Sequence, residues 1–257
     1  MEDRLAAADW SYGLSNVAFF GSSLSGEVVE RSGLQLASCG FPVREFNFAW
    51  LRPPFSDVPG ALRLAREYFG ARQLPFRFML RSQFEWACRE ALQDAGAREV
   101  ARIPGMLLDP IRDGAAPHPE LAVREVQGED DLDLFRETAF AGFGLPARGA
   151  RVFLTERLLE MPNLRLYLGT AGGRPVCTSA LCATGPVAGI YWVATLADAR
   201  GRGFGEVITW SAVRGGIALG CRFASLQASA LGRPVYERMG FATPLHYLCF
   251  EGAPAGS

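Results

Sequence analysis

The sequence predicts an α+β protein built as two halves of similar element order. Runs that alternate apolar and polar residues, which are typical of strands, are interleaved with segments of helical period. The predicted order β-β-α-β-α-β occurs both before and after the middle of the chain. Between the two copies lies a segment rich in Gly, Ala and Pro at 109–119, which indicates a domain boundary. With 257 residues, the chain is long enough for two domains that each bury a core.

Composition excludes several classes of protein. A hydrophobic content of 49% with 21% charged residues is typical of a folded globular protein and not of a disordered one. Because the net charge is only -1, we expect neither a nucleic-acid partner nor an anionic membrane partner. The sequence lacks the apolar core of a signal peptide and any run of about 18 apolar residues. We therefore expect a cytoplasmic location.

Cysteine and histidine are too dispersed to predict a metal site. The two histidines are His118, in the Pro-rich linker, and His246, in the last predicted strand, and this also disfavours a histidine-dependent hydrolase. The chain contains no lysine, which excludes a P-loop and a pyridoxal-phosphate Schiff base. The cysteines form no C-x-x-C motif, and we expect them to be reduced core residues. They are Cys39, Cys88, Cys177, Cys182, Cys221 and Cys249.

The N-terminal half alternates strand and helix patterns. Its best helix signal is Asp57, a plausible N-cap, followed by Pro59 in the first turn. The predicted elements are, in order, a helix within 1–31, strands at 34–39 and 45–51, a helix from 57, a strand at 75–80, a helix at 83–95 and a strand within 99–108.

The C-terminal half repeats this order after two initial helices. Gly172 and Gly173 lie between two strand patterns and predict a hairpin turn. The predicted elements are a strand at 121–126, helices at 130–143 and 150–161, strands at 165–170, 175–183 and 189–196, a helix at 206–218, a strand at 222–227, a helix at 230–239 and a strand at 242–251.

A glycine-rich segment at 200–205 follows a predicted strand and precedes a helix. Its alternating glycines leave backbone N–H groups uncovered, so these groups can converge on an anion at the positive end of the helix. Such a nest suits a pyrophosphate. A dinucleotide fingerprint is excluded, since the residue three after Gly203 is Glu206. A purely structural tight turn remains an alternative.

Two motifs in this half resemble those of the Gcn5-related N-acetyltransferase (GNAT) family. Arg200, Gly203 and Gly205 occupy the fixed positions of its coenzyme-A loop, Gln/Arg-x-x-Gly-x-Gly/Ala. Further along, 236–241 matches its Tyr-x-x-x-Gly-Phe signature. The resemblance extends over about 121–251. It implies a mixed, mainly antiparallel central sheet flanked by helices, with acetyl-CoA as cosubstrate.

With the repeated element order, the resemblance favours two tandem GNAT-like domains. Their expected ranges are 1–112, a degenerate copy, and 120–257, the acetyl-CoA-binding domain. The turn after the central strand of the first copy contains Pro53 and Pro54, which have no N–H to donate, so an anion nest cannot form there. We expect this half to be non-catalytic. An unrelated α+β cap is the alternative.

The resemblance also implies roles for individual residues. Tyr236 corresponds to the tyrosine that can protonate the leaving thiolate, a role that a phenol can fill within hydrogen-bond reach. Ser229 stands where the family often has asparagine, which weakens one cofactor contact without excluding binding. The implied cofactor-binding residues are Val193, Ala194, Thr195, Arg200, Gly201, Arg202, Gly203, Phe204, Gly205 and Ser229.

The sequence defines the binding site of the acceptor amine less well than the coenzyme-A site. Tyr191 and Trp192 indicate either a partly apolar acceptor pocket or packing of their strand. No general base is identified, and many members of the family work through water. The acidic residues considered for this role are Glu125, Asp130, Asp131, Glu137 and Glu156.

These features predict an N-acetyltransferase that moves an acetyl group from acetyl-CoA to a primary amine by direct attack. The acceptor is a small-molecule or peptide amine whose identity the sequence does not reveal. A non-catalytic acyl-CoA-binding or sensing protein is the alternative. A third possibility is that the glycine segment is only a tight turn. The sequence does not indicate the oligomeric state.

Overall fold

In a computed structural model, residues 2–52, 57–114 and 117–251 are described, and they form one mixed sheet flanked by helices. The helices in these residues are α1 (Glu2–Ser22), α2 (Val58–Gly70), α3 (Glu85–Asp94), α4 (Gly128–Phe143), α5 (Ala150–Phe153), α6 (Phe204–Ala218) and α7 (Arg233–Met239). The strands are β1 (Glu27–Arg31), β2 (Leu34–Ser38), β3 (Asn47–Leu51), β4 (Arg77–Arg81), β5 (Arg98–Leu108), β6 (Ala122–Glu125), β7 (Leu164–Ala171), β8 (Arg174–Thr184), β9 (Val187–Thr195), β10 (Phe223–Gln227) and β11 (Ala242–Glu251).

The two halves share a single sheet because they exchange their last strands. The strand order is β1-β2-β3-β4-β11-β5-β10-β9-β8-β7-β6. Strand β5, which precedes the linker, pairs with β10 of the second half, and β11 pairs with β4 of the first half. Strands β5 and β11 pair with each other at the centre. Among the described residues, β3–β4 and β9–β10 are the parallel pairs, which confirms a mixed, mainly antiparallel sheet.

The sheet has a hydrophobic core on each face. On one face, α1, α4 and α5 cover aromatic side chains that include Phe46, Trp50 and Phe140. On the other face, α2 and α3 pack over the first half, and α6 and α7 over the second. The six cysteines are buried free thiols, as expected, and burial raises the pKa of Cys177 to about 12. None of the helices described here is long and apolar enough to cross a membrane.

Local signals placed several elements correctly. The Asp57 side chain accepts a hydrogen bond of 2.7 Å from the Gly60 N–H and caps α2. Gly172 and Gly173 have φ values of 57° and 77°, as the β7–β8 hairpin turn requires. The turn prolines at 53 and 54 lie outside the described residues.

The structure differs from the sequence-based predictions at two elements. Strand β1 was not predicted and lies within the segment expected to be helical. The helix predicted at 150–161 is broken, since α5 ends at Phe153 and a short 3₁₀ turn follows at Glu156–Glu160. Between them, Thr155 is extended, and its hydroxyl donates a hydrogen bond of 2.8 Å to the Ser22 carbonyl at the end of α1. This tertiary contact outweighs the local helical preference.

Helix α1 buries polar side chains against the sheet. The Tyr247 hydroxyl donates a hydrogen bond of 2.9 Å to the Asp9 carboxylate, and Arg81 forms an ion pair of 3.0 Å with the same group. The Asn16 amide donates to the Gln35 side chain at 3.0 Å. These interactions fix α1 on the sheet, since buried polar groups need partners.

Burial of Asp9 predicts a pH-dependent stability. Desolvation raises its pKa to about 6 although Arg81 acts in the opposite direction, whereas an unfolded Asp titrates near 3.9. The contribution of Asp9 to the free energy of unfolding is fully present below the pKa that Asp9 has in the unfolded chain. It is lost as the pH rises through the pKa that Asp9 has in the folded protein. The loss between about pH 4.5 and about pH 7.5 is about 2 kcal/mol. We expect Asp9→Asn to remove it, as measured by urea unfolding at both pH values. Parallel pH profiles for the two proteins would refute this.

Candidate active site

A cleft opens where the parallel strands β9 and β10 separate. Within the described residues, their pairing ends at Gly189 and Ser225, although both strands continue. The cleft has a volume of about 540 Å³ and lies between the end of β9, the start of α6 and the region of α7. Such a crevice at the carboxyl ends of strands is a common ligand site.

The structure brings most of the predicted site residues together around this cleft. Ala194 and Arg202 are not among the lining residues described. A Cβ atom added at Gly142 would lie 2.8 Å from the Ala194 Cβ, so α4 approaches this strand closely. The predicted residues that line the cleft are Val193, Thr195, Arg200, Gly201, Gly203, Phe204, Gly205, Ser229 and Tyr236.

Strand β9 contains a bulge where it pairs with β8. The register with β8 shifts between the pairs Thr178–Ala194 and Ala180–Tyr191. At the shift, Trp192 has a φ of 51°, a strained value for a large residue, and its carbonyl accepts a hydrogen bond of 2.8 Å from Thr178. The next residue, Val193, lines the cleft. The bulge thus re-aims this part of the strand.

Tyr191 and Trp192 are partly buried and pack against the core on the face opposite α6. The Trp192 ring stacks on Phe140 with centroids 5.6 Å apart. The Tyr191 ring meets Phe19 of α1 edge-on at 5.8 Å. Of the two alternatives that the sequence left open, an acceptor pocket or packing of the strand, these contacts favour packing for both residues.

The glycine segment forms an open turn at the start of α6. Gly201 and Gly203 have φ values of 77° and 82°, which residues with a Cβ atom adopt only under strain. Gly203 is the N-cap residue and supplies no capping side chain. The first N–H groups of α6 have no intrahelical acceptor. They and the helix dipole favour an anion at this end of the cleft.

Arg200 connects the glycine segment to its surroundings. Its guanidinium donates hydrogen bonds to the carbonyls of Thr195, at 3.1 Å, and Gly142, at 2.9 Å. The side chain thus links the end of β9, the last turn of α4 and the segment itself. Arg200 therefore positions the loop in addition to lining the cleft.

Loss of these contacts should weaken ligand binding moderately. We expect Arg200→Ala to raise the Kd for acetyl-CoA about tenfold, because hydrogen bonds from a charged donor contribute about 1.5–3 kcal/mol and part of this fixes the loop. Arg200→Lys, which retains the charge, should have an intermediate effect. Calorimetric titration measures both. Unchanged affinity in Arg200→Ala would contradict the positioning role.

The end of the linker and Glu120, the residue after it, contact the glycine segment. Glu120 accepts a hydrogen bond of 2.7 Å from Arg202, which lowers the pKa of Glu120. The Arg202 guanidinium lies over the Phe204 ring at 4.6 Å, and the His118 ring meets that ring edge-on at 5.1 Å. These contacts were not predicted from the sequence, because a segment rich in Gly, Ala and Pro does not indicate which part of the protein it packs against.

Tyr236 lies in the cleft with little exposure. Burial raises the pKa of Tyr236 to about 12, and a hydrogen bond with Thr209 acts in the opposite direction. The phenol is therefore protonated throughout the neutral range and can donate a hydrogen bond. Ser229 accepts a hydrogen bond of 3.1 Å from the Gly232 N–H, which stabilises the turn before α7.

Several cleft residues were not predicted. Arg238 lies two positions after Tyr236 on α7 and adds positive charge, whereas Glu206 adds negative charge. Phe143 approaches from α4, and no local pattern indicates this contact. The lining residues absent from the prediction are Gly142, Phe143, Ala199, Glu206, Leu231, Gly232, Val235 and Arg238.

The acidic residues considered as a general base are not among the described lining residues. Asp131 is paired with Arg124 and Glu156 with Arg136, and each partner lowers the pKa of its carboxylate. Glu125 pairs with Arg165 at 3.1 Å. In the described parts of the chain, no group of three or more potential ligands could hold a metal ion.

Comparison with known proteins identifies the second half. Residues 111–234 match the family model described as an acetyltransferase (GNAT) domain. Residues 111–234 are thus similar to a GNAT domain. No curated protein sequence matches the chain.

The GNAT fold extends over both halves. A GCN5-related N-acetyltransferase from Kribbella flavida is 20% identical, with a TM-score of 0.72, 97% of this chain covered and 96% of that one. Another, from Sphaerobacter thermophilus, is 19% identical, with a TM-score of 0.67 and coverages of 86% and 76%. A tandem GNAT protein from the clavulanic acid biosynthesis pathway is 15% identical, with a TM-score of 0.59 and coverages of 95% and 88%. The predicted tandem GNAT fold is thus confirmed.

Proposed function

We propose that the protein is an acyl-CoA-dependent N-acetyltransferase that uses acetyl-CoA and a primary amine. The observation that carries this proposal is the cleft itself, in which the open glycine turn at the start of α6, the separated strand β9 and Tyr236 face one space. In this proposal, 201–205 hold the pyrophosphate, Val193 and Thr195 lie along the pantetheine arm, and Ser229 supplies one further polar contact.

The proposed reaction needs little from the protein beyond positioning. The amine nitrogen attacks the thioester carbonyl, a C–N bond forms, and the C–S bond then breaks to release the coenzyme thiolate. One proton leaves the amine nitrogen to water. No side chain is assigned as the base.

Tyr236 stabilises the leaving thiolate in this scheme. Because the pKa of Tyr236 is about 12, full proton transfer to a thiolate whose acid has a pKa near 8.5 would cost about 5 kcal/mol. A hydrogen bond from the phenol to the developing thiolate does not carry this cost. We therefore propose that Tyr236 acts first as a hydrogen-bond donor, and that solvent completes the protonation.

We propose that the two duplicated units are 1–112 and 120–257 and that the first is non-catalytic. The sequence argument is the pair of prolines at 53 and 54, which remove N–H donors from the turn equivalent to the glycine segment. Acceptors in this proposal are small-molecule or peptide amines.

An acetyl-transfer assay tests the function. Purified protein is incubated with acetyl-CoA and a panel of primary amines, and release of free coenzyme thiol is followed. We expect at least one amine to give release that depends on both protein and amine. Binding of acetyl-CoA without turnover of any amine would favour an acyl-CoA-binding or sensing protein instead.

A further inference from the structure

Two large apolar side chains are exposed in the walls of the cleft. Phe143, at the end of α4, is 48% exposed, and Leu231, in the loop between β10 and α7, is 74% exposed. Both line the same space as Tyr236. In the wall of a cleft, apolar and aromatic side chains supply most of the surface that a ligand covers. These two residues therefore point to a ligand with an apolar part.

Phe143 is held in position by the core behind it. Its ring meets the Trp192 ring at an interplanar angle of 85°, with centroids 5.7 Å apart. Trp192 in turn stacks on Phe140. The Arg200 guanidinium donates to the Gly142 carbonyl at 2.9 Å and so fixes the end of α4. The exposed ring is thus pre-positioned, and a ligand that binds it pays little for ordering the side chain.

The loop that carries Leu231 is also ordered by hydrogen bonds. The Ser229 hydroxyl accepts from the Gly232 N–H at 3.1 Å, and the Ser229 carbonyl accepts from the Arg233 N–H at 2.9 Å. A Cβ atom added at Gly232 would lie 2.8 Å from Cε2 of Tyr236, so the loop packs against that ring. Leu231 is therefore near the position proposed for the leaving thiolate.

The two walls of the cleft belong to different faces of the sheet. The core under α6 includes Phe204, beside the glycine turn, whereas α4 covers the other face with residues such as Phe140. In the proposed function, the coenzyme is held by its phosphates at the glycine turn and fills the α6 side. The acceptor amine then reaches the thioester from the α4 side, past Phe143.

Charge in the cleft favours an acceptor with a single amino group. Within the described residues, the charged side chains of the lining are Arg200, Glu206 and Arg238. The one carboxylate among them, Glu206, is in the first turn of α6, on the coenzyme side. A second ammonium group on the acceptor would lose hydration against the apolar walls without gaining a carboxylate partner.

We infer that Phe143 and Leu231 bind the hydrocarbon part of the acceptor, and that the acceptor is a primary monoamine carried on an alkyl or aromatic group. This inference rests on the proposed acetyl transfer and narrows its acceptor class. The two side chains determine specificity by burying apolar surface of the acceptor, and they take no part in bond making or breaking.

Steady-state acetyl transfer to three amines tests the acceptor class. Ethylamine and hexylamine have nitrogens of nearly equal basicity and differ in hydrocarbon length, whereas hexane-1,6-diamine adds a second ammonium group to the longer chain. We expect kcat/KM for hexylamine to exceed that for ethylamine at least about tenfold, because more methylene groups are buried. It should exceed the value for the diamine, per amino group, by about the same factor.

Two substitutions test the residues themselves. Phe143→Ser and Leu231→Ser should each lower kcat/KM for hexylamine about tenfold and change that for ethylamine by less than about twofold. The Kd for acetyl-CoA should stay at the wild-type value in both variants. Leu24→Ser is the matched control, because Leu24 is 68% exposed and is not among the described lining residues. It should keep wild-type kinetics with both amines. Retained activity on ethylamine shows that each variant is folded.

The possible outcomes separate this inference from the proposed function. Equal kcat/KM for ethylamine and hexylamine, a preference for the diamine, or unchanged hexylamine kinetics in either cleft variant would overturn the inference and leave acetyl transfer in place. A raised Kd for acetyl-CoA in the cleft variants would assign the two side chains to the coenzyme and overturn it as well. If acetyl-CoA binds and no amine reacts, the proposed function fails, and the inference fails with it.

Discussion

Replacing Gly203 with glutamate is expected to abolish measurable binding of acetyl-CoA. Gly203 has a φ of 82°, so any Cβ atom strains the turn that exposes the first N–H groups of α6. The added carboxylate also places negative charge at the proposed pyrophosphate site. Together these effects should raise the Kd at least about 100-fold, equivalent to about 2.7 kcal/mol. Calorimetric titration of both proteins measures the change.

Gly185→Glu is the matched control for this substitution. Gly185 also has a positive φ, 53°, and no atom lies within 4 Å of a Cβ atom added there. It is in the β8–β9 turn, so the variant introduces similar backbone strain and the same charge outside the cleft. We expect wild-type affinity. Equal affinities for Gly203→Glu and Gly185→Glu would show that the glycine segment does not bind the coenzyme.

Tyr236→Phe should lower kcat by about 100-fold, the lower part of the range for loss of an acid–base group. The Kd for acetyl-CoA should change little, because phenylalanine preserves the ring and its packing 6.0 Å from Phe241. Since the pKa of Tyr236 is about 12, its ionisation does not contribute to the pH–rate profile below about pH 10. The variant should therefore be slower with an unchanged profile.

Tyr167→Phe separates a catalytic effect from the general loss of a buried hydroxyl. Tyr167 is on β7, away from the cleft, and burial also raises its pKa to about 12. Its variant should retain wild-type kcat. If both variants lose activity equally, or if neither does, Tyr236 has no specific role in the chemistry.

The parts of the fold that were predictable depend on local chemistry. Alternating glycines, the Asp57 cap and the Gly172–Gly173 turn each act within a few residues, so their effect is visible in the sequence. The motif that begins at Tyr236 likewise lies on one short helix and the turn that follows it, beside the cleft.

The strand exchange could not be predicted in this way. Strands β5 and β11 find their partners across the whole chain, and an alternating pattern does not specify which edge a strand joins. The contact of Glu120, directly after the linker, with Arg202 and that of Phe143 with the cleft are equally non-local.

Helix α1 was difficult to predict for a different physical reason. Its polar residues are buried through specific partners such as Gln35 and Arg81, whereas Trp10 and Leu14 are exposed. Periodicity arguments assume that apolar residues face the core. A helix that buries polar as well as apolar residues, and that exposes two large apolar ones, gives a weak amphipathic signal. Strand β1 was therefore not distinguished from the helix in the same segment.

The central claim is that one acyl-CoA site exists per chain, in the cleft between β9 and β10. Calorimetric titration of the wild-type protein with acetyl-CoA tests it most directly. We predict micromolar binding with a stoichiometry of one per chain, because we propose that Pro53 and Pro54 prevent the N-terminal half from forming a second anion-binding turn. Absence of binding, or two equivalent sites per chain, would contradict the account.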